Sequence, residues 1–90
     1  MNADWQATAL APDGRYFVAW SVQVINGCDR PRTVSVMLAL YDRDQREIRR
    51  YVETVTAPAR QTVTAKGTAL EGGLIMRLVA RRAAVLAPRD

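Results

Sequence analysis

The sequence has 90 residues, a formal net charge of +4, one cysteine and no histidine. This length accommodates one domain with one core, over residues 1–90. Without histidine, the chain cannot build Ser-His-Asp or Cys-His catalytic arrangements, or a zinc site of nitrogen and sulfur ligands. It also contains no glycine-rich phosphate-binding motif and no apolar run of about 18 residues that could cross a membrane as a helix. We therefore expect a protein that is not an enzyme and needs no cofactor or metal.

Alternating apolar residues predict strands through the first half of the chain. The clearest alternation is in residues 34–41, where valine and leucine recur at every second position, the period of a half-buried strand. Residues 15–25 show the same period, with Val18, Trp20, Val22 and Val24 on one face. A shorter strand is predicted for residues 4–10, and turns follow at residues 11–14 and 42–45.

The second half of the chain alternates less regularly. Residues 47–55 have two mixed faces, which is typical of an edge strand or of a strand with a bulge. Residues 61–65 predict a short strand rich in β-branched residues, and Gly67 together with residues 71–73 is expected to bracket a loop. Residues 74–86 fit either a strand or an amphipathic helix. The all-β surroundings favour the strand, because an isolated short helix would lack packing partners.

Six or seven short strands separated by turns predict an all-β protein in which two sheets pack as a β-sandwich. The inward faces of the predicted strands define its core. The expected core residues are Trp20, Val22, Val24, Val36, Leu38, Leu40, Val63, Met76 and Leu78.

Several short segments follow one another in an order that is found in a known family. Residues 22–27 read VQVING, residues 38–42 read LALYD and residues 58–64 read PARQTVT. This order resembles the bacterial FxLYD-type domains, over about residues 18 to 66. Leu38 stands where that family has phenylalanine, and Gln45 stands where it usually has glycine.

The resemblance implies an immunoglobulin- or fibronectin-like β-sandwich. Domains of that family are usually accessory modules of bacterial envelope or secreted proteins, and they bring no active site to transfer. Residues 1–5 lack the basic and then apolar order of a signal peptide. The compartment stays open, and would be extracytoplasmic if a leader has been removed and cytoplasmic otherwise.

Two features could carry chemistry without a catalytic motif. Asp42 and Asp44 could contact a calcium ion, but a full site needs six or more oxygen ligands. We therefore expect Asp42 to accept hydrogen bonds from backbone N–H groups of its turn. Cys28 lies beside Arg30 and Arg32, which would favour a reactive thiolate or an intermolecular disulfide. The alternative role for Cys28 is that of a small, partly buried hydrophobic residue.

Most basic residues are arginines, and they form two groups along the sequence. One group surrounds the hairpin at residues 42–55 and the other follows the predicted last strand. The candidate interaction surface comprises Arg46, Arg49, Arg50, Tyr51, Glu53, Arg77 and Arg81. Arginine binds carboxylate and phosphate in a bidentate manner. Our main hypothesis is a non-catalytic module that acts through protein–protein contact, and the alternative is a basic β domain that binds single-stranded nucleic acid.

The mixed strand at residues 47–55 also suggests self-association. The unpaired N–H and C=O groups of an edge strand invite another strand. Two antiparallel copies could pair the arginines and glutamates of this strand across a two-fold axis. The same charges could instead protect the edge and keep the chain monomeric. We expect a homodimer, because Tyr51 and Val55 would otherwise be left partly exposed.

Overall fold

A computed structural model describes residues 3–89, which form six β-strands and one short helix. The strands are β1 (Ala3–Leu10), β2 (Tyr16–Ile25), β3 (Arg32–Tyr41), β4 (Glu47–Ala57), β5 (Thr62–Glu71) and β6 (Arg81–Pro88). The helix α1 (Gly73–Leu78) connects β5 to β6. The strands form two antiparallel three-stranded sheets with the orders β1-β2-β5 and β4-β3-β6. The prediction of an all-β chain is therefore confirmed.

A cluster of buried hydrophobic side chains joins the two sheets. Trp20, Val22 and Val24 enter it from β2, and Val36 and Leu38 enter it from β3. Every second residue of each strand points inward because the side-chain period of a strand is two. Full burial of one such side chain contributes about 1.5–3 kcal/mol. The inward faces predicted for these two strands are confirmed, and they hold both sheets in place.

The strand β4 lies at an edge of its sheet. Its pairing with β3 shifts where Leu40 pairs with Arg49 and Tyr41 pairs with Glu47, so that Ile48 lies between the two pairs. Such an irregularity is common in edge strands. The mixed faces predicted an edge strand or a bulge, and both are present.

The strand β5 is longer than the sequence suggested. Its register with β2 runs without interruption from Ile25 and Thr62 to Tyr16 and Glu71. Gly67 lies inside this strand opposite Trp20, and a Cβ atom at position 67 would lie 2.7 Å from the indole Nε1 atom. The prediction of a loop beginning at Gly67 is wrong, because this glycine makes room for a buried ring.

The segment 74–86 divides into two elements. Its first part is helical in α1, and its last part belongs to β6. The backbone N–H of Ala80 donates to the carbonyl oxygen of Tyr41, at 2.8 Å, and so joins the start of β6 to β3. The strand prediction is therefore wrong for residues 74–78 and correct for residues 81–86. Met76 is half-buried and Leu78 is exposed, so neither joins the core; Ala84 and Leu86 of β6 pack against it instead.

Candidate interaction surface

The turn between β3 and β4 is organised by Asp42. Its buried carboxylate accepts hydrogen bonds from the backbone N–H groups of Asp44, at 2.9 Å, and Arg46, at 3.0 Å. These bonds, led by that of the Arg46 N–H, hold the pKa of Asp42 below its ordinary value. Gln45 adopts a φ of 65°, the left-handed conformation that glycine adopts most easily. The predicted role of Asp42 as the capping residue of this turn is confirmed.

Arginines from both sequence groups meet at this end of the molecule. Arg43 and Arg46 of the turn line a shallow depression together with Arg77 of α1. The guanidinium carbon of Arg81 lies 4.2 Å from the centroid of the Tyr41 ring, which is a cation–π distance. Three of the predicted surface residues, Arg46, Arg77 and Arg81, therefore lie near one another although the sequence separates them.

Arg49 and Tyr51 point away from this surface. The ring of Tyr51 stacks on Trp20, with ring centroids 5.8 Å apart and an interplanar angle of 15°. The Tyr51 hydroxyl donates to Glu71 Oε2, at 2.6 Å, and accepts from Trp5 Nε1, at 3.1 Å. Burial, together with the bond to Glu71, raises the pKa of Tyr51. Tyr51 thus packs against the core and offers no exposed aromatic ring to a partner.

Glu71 is a buried carboxylate at the edge of the core that sequence reasoning missed. Only 3% of this residue is exposed, and its carboxylate lies 3.0 Å from the Arg49 guanidinium in addition to accepting the Tyr51 hydroxyl. A buried charge is tolerated when it is paired and hydrogen-bonded. The alternation along β5 could have indicated its burial, because Val63, Ala65 and Glu71 all occupy inward positions if the strand continues without a break.

Val55 also packs against the core, as Tyr51 does. The dimer through β4 was expected because these two side chains would otherwise be exposed, and both are in contact with the rest of the chain. Glu53 remains exposed at the edge, where its carboxylate accepts the backbone N–H of Thr54 at 3.2 Å. The β4 edge keeps its charges but loses the exposed apolar area on which self-association was argued.

The outward face of the β4-β3-β6 sheet carries an exposed apolar stripe. Val52 of β4, Met37 of β3 and Val85 of β6 lie directly opposite one another across all three strands. Val52 is 59% exposed and Val85 is 50% exposed, whereas Met37 is half-buried. We name these three residues the apolar stripe. Isolated exposed valines are ordinary, but apolar residues aligned across a whole sheet form a contiguous surface.

Basic residues border the apolar stripe on one side. In the adjacent row, Arg50 and Ala83 lie opposite Ala39, and in the next row Arg81 lies opposite Tyr41. Ala39 is buried although it lies on the outward face of the sheet. Arg50 binds both carboxylate oxygens of Glu47, each at 2.9 Å, so its charge is largely compensated.

Cys28 lies in the loop between β2 and β3. The side-chain amide of Asn26 donates to the carbonyl oxygens of Arg30, Ala57 and Pro58, and its oxygen accepts the Cys28 N–H. The exposed Cys28 thiol has an Arg32 guanidinium nitrogen 3.4 Å from its sulfur. The loop is thus held by Asn26, and a role for the thiol stays a hypothesis.

Acidic, cysteine and histidine side chains do not gather into a metal-binding group of three or more anywhere in residues 3–89. Within the same residues, no helix has the length and apolar character needed to cross a membrane. Comparison with protein-family models, with curated proteins and with solved structures found no match to this chain.

Proposed function

We propose that this chain is a non-catalytic module of the immunoglobulin- or fibronectin-like β-sandwich type that acts through protein–protein contact. The observation that carries the proposal is the apolar stripe, in which Val52 is 59% exposed and Val85 is 50% exposed on the outward face of the β4-β3-β6 sheet. Protein-binding surfaces commonly combine an apolar centre with a polar rim. The resemblance to FxLYD-type domains supports a role as an accessory domain of a bacterial envelope or secreted protein.

The arginines beside the apolar stripe indicate which chemical groups a partner protein would present to it. Arg81 and the cluster of Arg43, Arg46 and Arg77 lie on one side of the apolar stripe. Arg46 forms ion pairs there with Asp42 and Asp44, and the four arginines outnumber these two acids. A protein surface with apolar side chains flanked by carboxylates would match this arrangement. Opposite charges at the rim mainly raise the association rate and the specificity.

Nucleic acid fits the same surface less well. Non-specific binding of single strands uses exposed aromatic rings as stacking platforms for bases. The ring of Tyr51 stacks on Trp20, and one face of the Tyr41 ring is covered by Arg81. The basic cluster would then contribute charge without stacking, which supports the protein-binding proposal over the nucleic-acid alternative.

The test compares two variants that add the same charge to opposite faces of the molecule. Val52→Glu/Val85→Glu places two carboxylates on the apolar stripe, and Gln6→Glu/Ile25→Glu places two on exposed outward positions of the other sheet. Wild type and both variants are used as baits in a lysate of the source organism, with photo-crosslinking and mass spectrometry. Circular dichroism first establishes that all three are folded.

The proposal predicts proteins that wild type and the Gln6→Glu/Ile25→Glu control capture and that the Val52→Glu/Val85→Glu variant loses. Equal capture by all three would refute the apolar stripe as the binding surface. A fluorescent single-stranded oligonucleotide is titrated in parallel at low and moderate salt. Binding that weakens steeply with salt and that the stripe variant retains would favour the nucleic-acid alternative, because phosphate contacts release counterions.

A further inference from the structure

Each sheet ends in two edge strands, and three of these four edges carry features that discourage pairing with another strand. The pairing of β1 with β2 is irregular between Ala7 and Ala9, and the side chain of Arg82 donates to the carbonyl oxygen of Ala3 at 3.0 Å. The strand β6 begins with two arginines and ends at Pro88. Bulges, charges and proline are the usual means by which proteins protect edges.

The strand β4 is protected in the same way. It is irregular at Ile48, and it carries Glu47, Arg49, Arg50 and Glu53. The guanidinium of Arg50 is bound to Glu47, and that of Arg49 is bound to Glu71. A strand that paired with this edge would have to accommodate these charged side chains.

The fourth edge, β5, is protected less than the other three, because its interior holds a single charged residue. Its ten residues pair with β2 in continuous register and contain no proline. Lys66 is the charged residue in its interior, and the carboxylate of Glu71 is buried at its end. The outward positions on either side of Lys66 are the exposed residues Thr62, Thr64 and Thr68. β-branched residues such as threonine favour extended pairing.

The pattern of β5 is compatible with a second copy of itself. In an antiparallel pair, residues that lie opposite one another point to the same face of the sheet. A two-fold axis at Ala65 therefore places Lys66 opposite Thr64 of the other copy, and an axis at Gly67 places it opposite Thr68. In both registers the lysine meets a threonine and not the other lysine, so the strand can pair with itself without a like-charge contact.

We propose that β5 is a self-association site, at which a second copy of this chain pairs its own β5 in antiparallel orientation. The β1-β2-β5 sheet of one copy then continues into the same sheet of the other copy, and the two form one six-stranded sheet across a two-fold axis. The proposal moves the expected dimer contact from the highly charged edge β4 to the less charged edge β5. It is independent of the apolar stripe, which lies on the outward face of the other sheet.

The test uses a double substitution that introduces like charges in either register. Thr64→Lys/Thr68→Lys places a lysine opposite Lys66 of the other copy whether the axis passes through Ala65 or Gly67. Sedimentation velocity and equilibrium are measured from about 1 μM to about 1 mM protein, a range that covers weak and moderately strong dimers. We expect a wild-type dimer whose dissociation constant rises about tenfold or more in the variant, because like charges oppose one another twice across the axis.

Two further proteins make the result specific to β5. Gln6→Lys/Thr8→Lys adds the same charge to the β1 edge of the same sheet and should leave the dimer intact. Thr64→Glu/Lys66→Glu/Thr68→Glu should not self-associate, but it should form a heterodimer when mixed with the Thr64→Lys/Thr68→Lys variant. This rescue would not occur if the lysines had simply damaged the fold.

Hydrogen exchange identifies the strand that is involved. Backbone amides of β5 should become protected as the wild-type concentration rises, and those of β4 should not. A wild-type protein that is monomeric over the whole concentration range would overturn the proposal and leave the β5 edge to a strand of another polypeptide. A dimer that the double lysine variant leaves intact, or one that protects β4 instead, would also overturn it.

Discussion

Replacing Gly67 with alanine tests the packing that joins β5 to Trp20. A Cβ atom at position 67 would lie 2.7 Å from Nε1, 2.9 Å from Cε2 and 3.0 Å from Cζ2 of the indole. These distances are too short, so either the ring or the strand must move. The ring has little freedom to do so, because Trp20 is buried and stacks on Tyr51.

The expected cost follows from two opposing effects. Overpacking a well-packed core costs about 1–3 kcal/mol. Replacing glycine by alanine at a position with an ordinary φ restricts the unfolded chain and stabilises by about 0.4–1 kcal/mol. The steric effect is larger, so we expect a net loss of about 1–2 kcal/mol. For a domain of this size, each kcal/mol lowers the melting temperature by about 4–8 °C.

Gly27→Ala is the matched control, because a Cβ atom at position 27 would meet no other atom within 4 Å. Urea and thermal unfolding are followed by circular dichroism for both variants. The double variant Gly67→Ala/Trp20→Phe removes the indole atoms that clash, so alanine at position 67 should be less costly in that background. The reasoning is refuted if Gly67→Ala is as stable as Gly27→Ala, or if its cost is unchanged by Trp20→Phe.

Three other predictions concern the buried residues Leu38 and Asp42 and the partly buried Tyr51. Leu38→Ala should cost about 2–5 kcal/mol in urea unfolding, because the side chain is fully buried. Because the pKa of Asp42 is lowered by folding, its carboxylate stabilises the fold above the ordinary value of 3.8, and this stabilisation is lost as the pH falls below that value. The Asp42→Asn variant should therefore lose less stability on acidification than wild type. Thermal melts from neutral to acidic pH measure the difference. Tyr51→Phe removes the hydroxyl that binds Glu71 and should cost about 1–3 kcal/mol. Because the pKa of Tyr51 is raised by folding, its protonated hydroxyl stabilises the fold below the ordinary value of 10.0, and this stabilisation is lost as the pH rises above that value. The stability of the Tyr51→Phe variant should therefore depend less on alkaline pH in the same melts.

The strands that could be predicted from sequence are those whose burial alternates cleanly. Residues 15–25 and 34–41 became β2 and β3, because one face of each is apolar and is covered by the opposite sheet. The Asp42 turn was also predictable, since its hydrogen bonds join residues that are close in sequence. In these cases the information needed for the structure is local.

The features that could not be predicted depend on residues far apart in the sequence. Gly67 resembles a loop residue until Trp20 is known to lie opposite it. Residues 74–86 satisfy the periods of both helix and strand, and the division between α1 and β6 becomes visible only when Ala80 bonds to Tyr41. Glu71 resembles a loop residue because Gly72 and Gly73 follow it, and its inward position is apparent only once β5 is known to continue through Gly67 to partners on the other sheet.

The choice of the inward face of β4 connects the core to the proposed function. Its two faces are both mixed, so the sequence leaves open whether Tyr51 or Val52 points inward. The core settles the choice, because Trp20 stacks on the Tyr51 ring and Glu71 binds its hydroxyl. Since neighbouring residues of a strand point to opposite faces, burying Tyr51 necessarily turns Val52 outward. The contacts that bury Glu71 on one side of β4 thereby expose a valine beside Met37 on the other, and the apolar stripe is a consequence of how the core is stabilised.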